Sequence, residues 1–297
     1  MEGFKKVTKA IIPVAGLGTR MLPATKAVPK ELLPVLDKPL IQHVVEEAVN
    51  GGISEIILVT RGGKESIENH FDNNFELESL LKINGKKKFL NKFPKQTLKN
   101  ISFLSIRQEK PLGLGHAILT AKKTLEKDEP FAVFLPDEFI LAKNKVLDFQ
   151  RMMKNYAMTG KGQILSERIK KDTTSNYGIM DLNKKSLTIS KDQEIKEIIE
   201  KPSKFKAPSS YRVVGRYILP YEVMKYLEKT KPGIDDEIQL TDALQKYLKN
   251  NIFGLNAVLC NSQVFDCGSL KGFLGANVAL ASKDVYLKGH LRRLLKN

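Results

Sequence analysis

Metal-ligating side chains are scarce in this sequence of 297 residues, with two cysteines and four histidines. Cys260 and Cys267 have no second pair with which to build a zinc site and lack CxxC spacing, so both read as structural thiols. His43, His70, His116 and His290 show no HExxH-type spacing. A structural metal centre is not indicated. Long apolar runs are missing too: the uncharged stretch Asn251 to Phe265 is broken by Asn256, Asn261 and Gln263 and falls short of the ~20 apolar residues of a spanning helix. The opening MEGFKKVTKAIIPVAG has no long apolar core ending in small residues, so no secretory signal and no membrane partner are expected, and the cytoplasm is the expected location. No internal repeat or low-complexity segment stands out.

Acidic residues are the scarcer sign of charge, 33 Asp+Glu against 49 Lys+Arg, which leaves a formal net charge of +16. That excess points to polyanionic partners, either nucleic acid or phosphorylated small molecules. With 42% hydrophobic residues the chain has the content of a globular protein rather than a basic disordered tail. From Ser79 to Gln108 there are seven lysines and Arg107 and no acidic residue. Lys86-Lys87-Lys88, beside Asn84-Gly85, reads as a solvated loop or helix tip, with Phe89 and Phe93 anchoring the segment to the core. No DNA- or RNA-binding motif accompanies the charge, so a nucleic-acid binder is the weaker class.

Hydrophobic spacing organises the chain. Lys9 to Ala15 is an apolar run ending at Gly16-Leu17-Gly18, as a buried parallel strand would. Leu40, Ile41, Val44, Val45, Ala48 and Val49 follow helical spacing, stopped by Gly51-Gly52. Strands are expected at Glu55–Thr60, Ile101–Ile106 and Phe131–Leu135, with helices at Lys64–Phe71 and Leu114–Leu125 between them. This alternation predicts an α/β fold, a Rossmann-like open, mostly parallel sheet with helices on both faces. Short strands at Gln163–Ile169, Tyr177–Asp181, Ile195–Glu200 and Val213–Leu219 would continue it as a mixed sheet. Helices should follow at Tyr221–Thr230, Leu240–Lys249 and near the C-terminus.

The most informative segment is Ala15-Gly16-Leu17-Gly18-Thr19-Arg20, running on to Lys26 and Lys30. A glycine turn after a buried strand exposes backbone N–H groups at the sheet's carboxyl edge, and glycine lets a nucleotide approach closely. Arg20, Lys26 and Lys30 supply the positive charge a triphosphate needs. Neither the dinucleotide GxGxxG nor the P-loop GxxxxGK[ST] is matched, so the nucleotide site is of another kind.

The run Gly16 to Lys26 resembles the signature GxGTRxxPxTK of the sugar-1-phosphate nucleotidylyltransferases. Further matching motifs occur in order: Val59-Thr60, Arg107-Gln108, Gly113-Leu114-Gly115-His116-Ala117, Leu135-Pro136-Asp137, Asn176-Tyr177-Gly178, Glu200-Lys201-Pro202, Val214-Gly215-Arg216-Tyr217, Asp236 to Ala243, and Asp266-Cys267-Gly268. The resemblance covers about residues 9 to 280. It implies one nucleotidyltransferase unit, 1–297, with a nucleotide-binding half near 1–140, a sugar-phosphate-binding half near 141–270 and a helical segment at 271–297.

The resemblance is strongest to bacterial members that use UTP and glucose 1-phosphate, and it assigns roles accordingly. Ala15, Gly16 and Gly18 would form the nucleotide loop, Gln108 would read the uracil edge, and Gly113 and Gly115 would pack against the base. Asp137, with Asp266 as second carboxylate, would ligate Mg²⁺, a cation that prefers oxygen ligands beside phosphate. Arg20 and Lys30 would stabilise departing pyrophosphate, with Lys26 a weaker candidate. Glu200 would hold sugar hydroxyls, Lys201 the attacking phosphate, and Gly178 and Gly215 would line the sugar pocket by backbone contact. His116, expected to start a helix, receives a capping or packing role, and Asp236 to Ala243 reads as a helix start with Thr241 or Asp236 as cap. Glu109 and Glu138 depart from the pattern, and Glu138 would either perturb metal affinity or face away. A homodimer or homotetramer is implied. A thymidylyl-transferring enzyme and a catalytically silent sugar-nucleotide sensor rank below this reading, the nucleic-acid binder with them.

Overall fold

Ala10-Ile11-Ile12, Ile56-Ile57-Leu58-Val59 and Phe131-Ala132-Val133-Phe134 are almost entirely excluded from solvent. Successive side chains of a strand point to opposite faces, so only a strand covered on both faces can be apolar throughout. In the structure, a computed structural model describing residues 4–94, 98, 100–144, 146–183, 186–233, 236–250 and 253–294, these runs form the middle of a nine-stranded sheet.

In chain order the elements are β1 (Lys9–Pro13), β2 (Pro34–Val35), β3 (Lys38–Pro39), α1 (Leu40–Asn50), β4 (Glu55–Thr60), α2 (Glu65–Phe71), α3 (Phe75–Ile83) and β5 (Ser102–Arg107). They continue with α4 (Gly113–Thr120), β6 (Phe131–Phe134), β7 (Glu138–Leu141), α5 (Asp148–Thr159), β8 (Gly162–Arg168), β9 (Gly178–Leu182), β10 (Gln193–Glu200) and β11 (Tyr211–Leu219). The last are α6 (Val223–Glu228), α7 (Leu240–Asn250), β12 (Leu255–Leu259), β13 (Gln263–Asp266), α8 (Leu270–Ala281) and α9 (Val285–Leu294).

The large sheet has the order β5-β4-β1-β6-β11-β8-β12-β10-β9. Strands β5, β4, β1 and β6 are mutually parallel, in a register that sets Ile11 beside Ile57 and Ile57 beside Leu104. Antiparallel β11 then joins β6 to β8. At the far end β9 pairs with β10 and also returns to β11 at Ile179 and Arg212, so this half of the sheet curls around a hollow.

Alternate residues feed two cores. Ile11, Ile57 and Val133 pack with Ala117, Ile118, Met224, Leu227 and Leu244 from α4, α6 and α7. Ala10, Ile12, Ile56 and Phe134 pack on the other face with Val44, Val45, Ile67 and Phe149 from α1, α2 and α5. A third, smaller core lies where β7 pairs antiparallel with β13 beneath α8, around Phe139, Leu141, Cys267 and Ala276.

The expected α/β alternation is therefore present, with differences in detail. The helix expected over Leu114–Leu125 is α4 followed by a 3₁₀ turn, Ala121–Thr124, and His116 lies inside α4 rather than at its start. Strands β2, β3, β7, β12 and β13 and helices α3 and α5 are additions to the sequence reading. In the lysine-rich segment Phe89 is 42% exposed and Phe93 only half-buried, while Leu90 and Leu98 are buried, so leucines rather than the expected phenylalanines make the anchor. No described helix is long and apolar enough to cross a membrane.

Candidate active site

Four parallel strands run in one direction, so the loops after them collect at one edge of the sheet. After β1 the chain turns through Gly18 (φ 72°), a left-handed conformation suited to glycine, and Thr25 Oγ1 donates to the Gly18 carbonyl (2.7 Å) to close the loop. A second 3₁₀ turn, Lys30–Leu32, brings Lys30 back beneath the glycines, its Nζ 3.8 Å from where a Gly16 Cβ would stand. This turn is tied down by the buried neighbour Glu31, which accepts from Lys64 (2.6 Å) at the start of α2.

Asp137, in the loop between β6 and β7, is the hub of the charged cluster. Lys30 Nζ donates to its Oδ2 (2.8 Å), and Arg20 Nη2 lies 3.6 Å from the same oxygen. Arg20 also donates through Nη1 to Asp266 Oδ2 (3.1 Å) at the end of β13. The lack of a side chain at Gly268 makes room for the Arg20 guanidinium between the carboxylates: a Cβ there would sit 2.5 Å from Arg20 Nη2, 3.0 Å from Asp266 Oδ1 and 3.1 Å from Asp137 Oδ2. Burial pushes the Asp137 carboxyl up, but Lys30 and then Arg20 outweigh it and hold the group below the usual aspartate range. Burial likewise opposes the charge on Lys30, and Asp137 and Glu31 overcome it, so Lys30 is raised. Asp137 and Lys30 thus each favour the charged form of the other.

The loop carrying Asp137 is held from below by Arg216, whose guanidinium is fully buried. It makes a two-pronged pair with Glu47 (3.0 and 2.7 Å) and donates to the carbonyls of Leu135 (3.1 Å), Gly215 (3.0 Å) and Glu138 (2.8 Å). Glu138 lines the same cavity as Asp137 and does not point away from it, but its carboxylate is already engaged. It accepts from Arg212 and from the backbone N–H of Gly215, bracing β11.

The hollow of the curled sheet is the sugar-sized cavity. Arg20, Asp137, Asp266, Gly178, Glu200 and Gly215 all line it, joined by Tyr177, Arg212, Gln239 and Thr241. Thr241 Oγ1 donates to Glu200 Oε2 (2.9 Å), and Arg212 stacks on the Tyr177 ring at 4.5 Å. Burial raises the Glu200 carboxyl above the usual glutamate range, only partly offset by Thr241 and Lys201. Lys201, at the end of β10 with φ 45°, is exposed and does not line the cavity; its N–H donates to Tyr177 O (3.0 Å). Lys26 is exposed on its loop and makes no ion pair among the described residues.

A second cleft at the same edge is lined by Ala15, Arg61, Gly62, Arg107, Gln108, Glu109 and Pro111. Gln108 is buried at the end of β5, with its amide against Gly113 O (3.3 Å) and His116 Nδ1 (2.9 Å). The two glycines of this motif have neighbours other than open space for a base. A Cβ on Gly113 would meet Glu237 Cβ at 2.6 Å, and one on Gly115 would meet Ile238 O at 2.6 Å, where the Gly115 N–H donates (2.8 Å). Their smallness lets residues 237–239 cross α4 and carry Gln239 and Thr241 to the cavity. Thr241, read from sequence as a cap, is thus a lining residue. Its place in the Asp236 to Ala243 motif was the available signal, as the Val214 to Tyr217 motif was for Arg216, whereas nothing local marked Arg212.

Residues 9–283 match the model of the nucleotidyl transferase family. The chain is 41% identical over 292 residues to the UTP–glucose-1-phosphate uridylyltransferase of Haemophilus influenzae, covering 97% of this chain and 98% of that one. It is 42% identical over 276 residues to the Escherichia coli enzyme of the same name, covering 92% and 90% of the two chains. Among solved structures, a UTP-bound UDP-glucose pyrophosphorylase (UGPase) from Acinetobacter baumannii superposes with a TM-score of 0.89 at 40% identity, covering 98% and 99% of the two chains. A motif series in order, a shared fold and this likeness along nearly the whole length agree: the chain belongs to the nucleotidyl transferase family.

Proposed function

We propose that this protein joins UTP and glucose 1-phosphate to give UDP-glucose and pyrophosphate. The observation that carries the reading is the Arg20–Lys30–Asp137–Asp266 cluster, which opens onto the cavity that also holds Glu200, Thr241 and Gly178. The relatives named for this reaction and the UTP-bound neighbour support the choice of substrates.

A phosphate oxygen of glucose 1-phosphate attacks the α-phosphorus of UTP. The bond from that phosphorus to the oxygen bridging it to the β-phosphorus breaks, and its electron pair leaves with pyrophosphate. The attacking oxygen is already anionic, so no general base is required, and positioning and charge neutralisation carry the rate. Ala15 and Gln108 place the uracil in the cleft beside the glycine loop. Arg20 and Lys30 neutralise charge on the leaving pyrophosphate. Glu200, oriented by Thr241, accepts from sugar hydroxyls, and Gly178 lets the ring lie against the backbone. Lys201 reaches the sugar phosphate from the rim, with Lys26 as an outer contact for the triphosphate.

The donor set fits Mg²⁺. Asp137 and Asp266 offer carboxylate oxygens, the donors a phosphate-bound Mg²⁺ asks for, and both turn them to the one Arg20 guanidinium, which would move aside for the cation. These two residues would hold it, and when bound it supplies further charge neutralisation at the phosphates.

The test is a matrix of UTP, dTTP, CTP and ATP against several sugar 1-phosphates with Mg²⁺, following pyrophosphate release. UTP with glucose 1-phosphate is expected to give the highest kcat/KM, and chelation of Mg²⁺ to abolish turnover. An equal or higher value for dTTP would replace uridylyl by thymidylyl transfer.

A further inference from the structure

The Gln108 side chain offers two chemically opposite ends to the cleft, and which one faces a base decides what base can bind. An amide oxygen accepts the N3–H of uracil. An amide nitrogen would instead suit the N3 lone pair of cytosine. The two orientations have nearly the same shape, so something outside the ligand must choose between them.

The surroundings choose the oxygen. Nε2 lies 3.3 Å from the Gly113 carbonyl and 2.9 Å from His116 Nδ1. Turned over, the amide would set Oε1 against the Gly113 carbonyl, two acceptors with no proton between them. With Nε2 in place, both of its hydrogens are used, one on Gly113 O and one on His116 Nδ1, which accepts. Oε1 then has no hydrogen-bond partner among the described residues and remains the amide's open acceptor at the cleft. The Gly113 carbonyl, which can only accept, sets the orientation, and the shorter contact to His116 holds the amide in it.

We propose that His116 is a positioning residue for nucleobase selection. Its Nδ1 holds the Gln108 amide with Oε1 toward the cleft, so the site accepts a base bearing N–H at its pairing edge and rejects one bearing a lone pair there. This rests on the reading of Gln108 as the group that meets the uracil.

The experiment measures kcat/KM for UTP and for CTP, with glucose 1-phosphate, in the parent protein and in His116→Leu, His116→Asn and Gln108→Ala. His116→Leu should lower the UTP:CTP ratio by about tenfold or more, mainly through a higher KM for UTP at little cost to kcat. His116→Asn should largely restore the ratio, because its Oδ1 can stand where Nδ1 stood. If the leucine variant does not fold, His116→Ala, smaller than the ring it replaces, asks the same question. A ratio unchanged in His116→Leu while Gln108→Ala collapses it would remove the role of His116 and leave Gln108 as the base reader. A ratio unchanged in Gln108→Ala would overturn both. An asparagine variant as unselective as the leucine variant would also count against the proposal, since an acceptor would then not be what matters.

Discussion

Asp137→Ala is expected to lose turnover on the order of 10³-fold, about 4 kcal/mol of barrier, while the protein remains folded. The carboxylate is the hub of the charged cluster, contacting Lys30 at 2.8 Å and lying 3.6 Å from Arg20, and with Asp266 it is proposed to hold the divalent cation. Its removal strands the positive charge of Lys30, whose side chain is only 17% exposed, so some stability will be lost as well. Asp137→Asn separates the two effects. The amide keeps an oxygen acceptor for Lys30 and the shape of the site, but it removes the negative charge. Both variants should show a cooperative thermal transition, and both should be nearly inactive with UTP, glucose 1-phosphate and Mg²⁺. Near-normal turnover in the folded asparagine variant would contradict the metal assignment.

Arg216→Met should produce the largest loss of stability among single changes near the site. The guanidinium is fully buried, and methionine would leave Glu47 as an unpaired buried carboxylate and remove the donors to three carbonyls, those of Leu135, Gly215 and Glu138. Breaking a buried ion pair from one side typically costs about 3–5 kcal/mol, a large share of the roughly 5–15 kcal/mol that holds a folded protein together. Arg216→Lys should not rescue it. A lysine has three donors on one atom and cannot reproduce the planar fork that reaches a carboxylate and several carbonyls together. The urea midpoint of both variants should fall well below that of the parent. Activity should fall further than stability alone requires, because Leu135 and Glu138 flank the Asp137 loop. A midpoint within experimental error of the parent would show that the loop is held by something else.

How much of this was legible beforehand follows from where each signal lies. Strands β1, β4 and β6 announce themselves because they are buried on both faces, and so must be apolar without interruption. Arg20 and Lys30 lie in the long loop after β1 and Asp137 in the loop after β6, so their meeting at one sheet edge follows from the topology. By contrast, β12 contains the buried Asn256, whose amide donates to Asp192 (2.7 Å), and a polar residue in a five-residue strand hides its period. Helix α5 buries Phe149, Met152 and Tyr156 on a narrow face amid polar residues, so its apolar signal is thin. The roles of Thr241 and Arg216 depend on partners far away in sequence, Glu200 and Glu47, and no local pattern encodes such pairings; His116 is eight residues from Gln108, but their meeting needs the turn between β5 and α4. The charge excess proved the least informative feature. Lys30, Lys64, Arg212 and Arg216 are each matched to a carboxylate inside the fold, while Lys86 to Lys88 are exposed on a turn away from the site.

Direct transfer between two bound substrates is the centre of this account, and exchange of labelled pyrophosphate into UTP tests it most directly. Without glucose 1-phosphate or UDP-glucose, the protein should show no exchange, since pyrophosphate can leave only when a sugar phosphate takes its place on the α-phosphorus. With Mg²⁺, pyrophosphate and UDP-glucose present, label should enter UTP readily. Rapid exchange in the absence of any sugar phosphate would require a uridylylated side chain, and would contradict the direct mechanism.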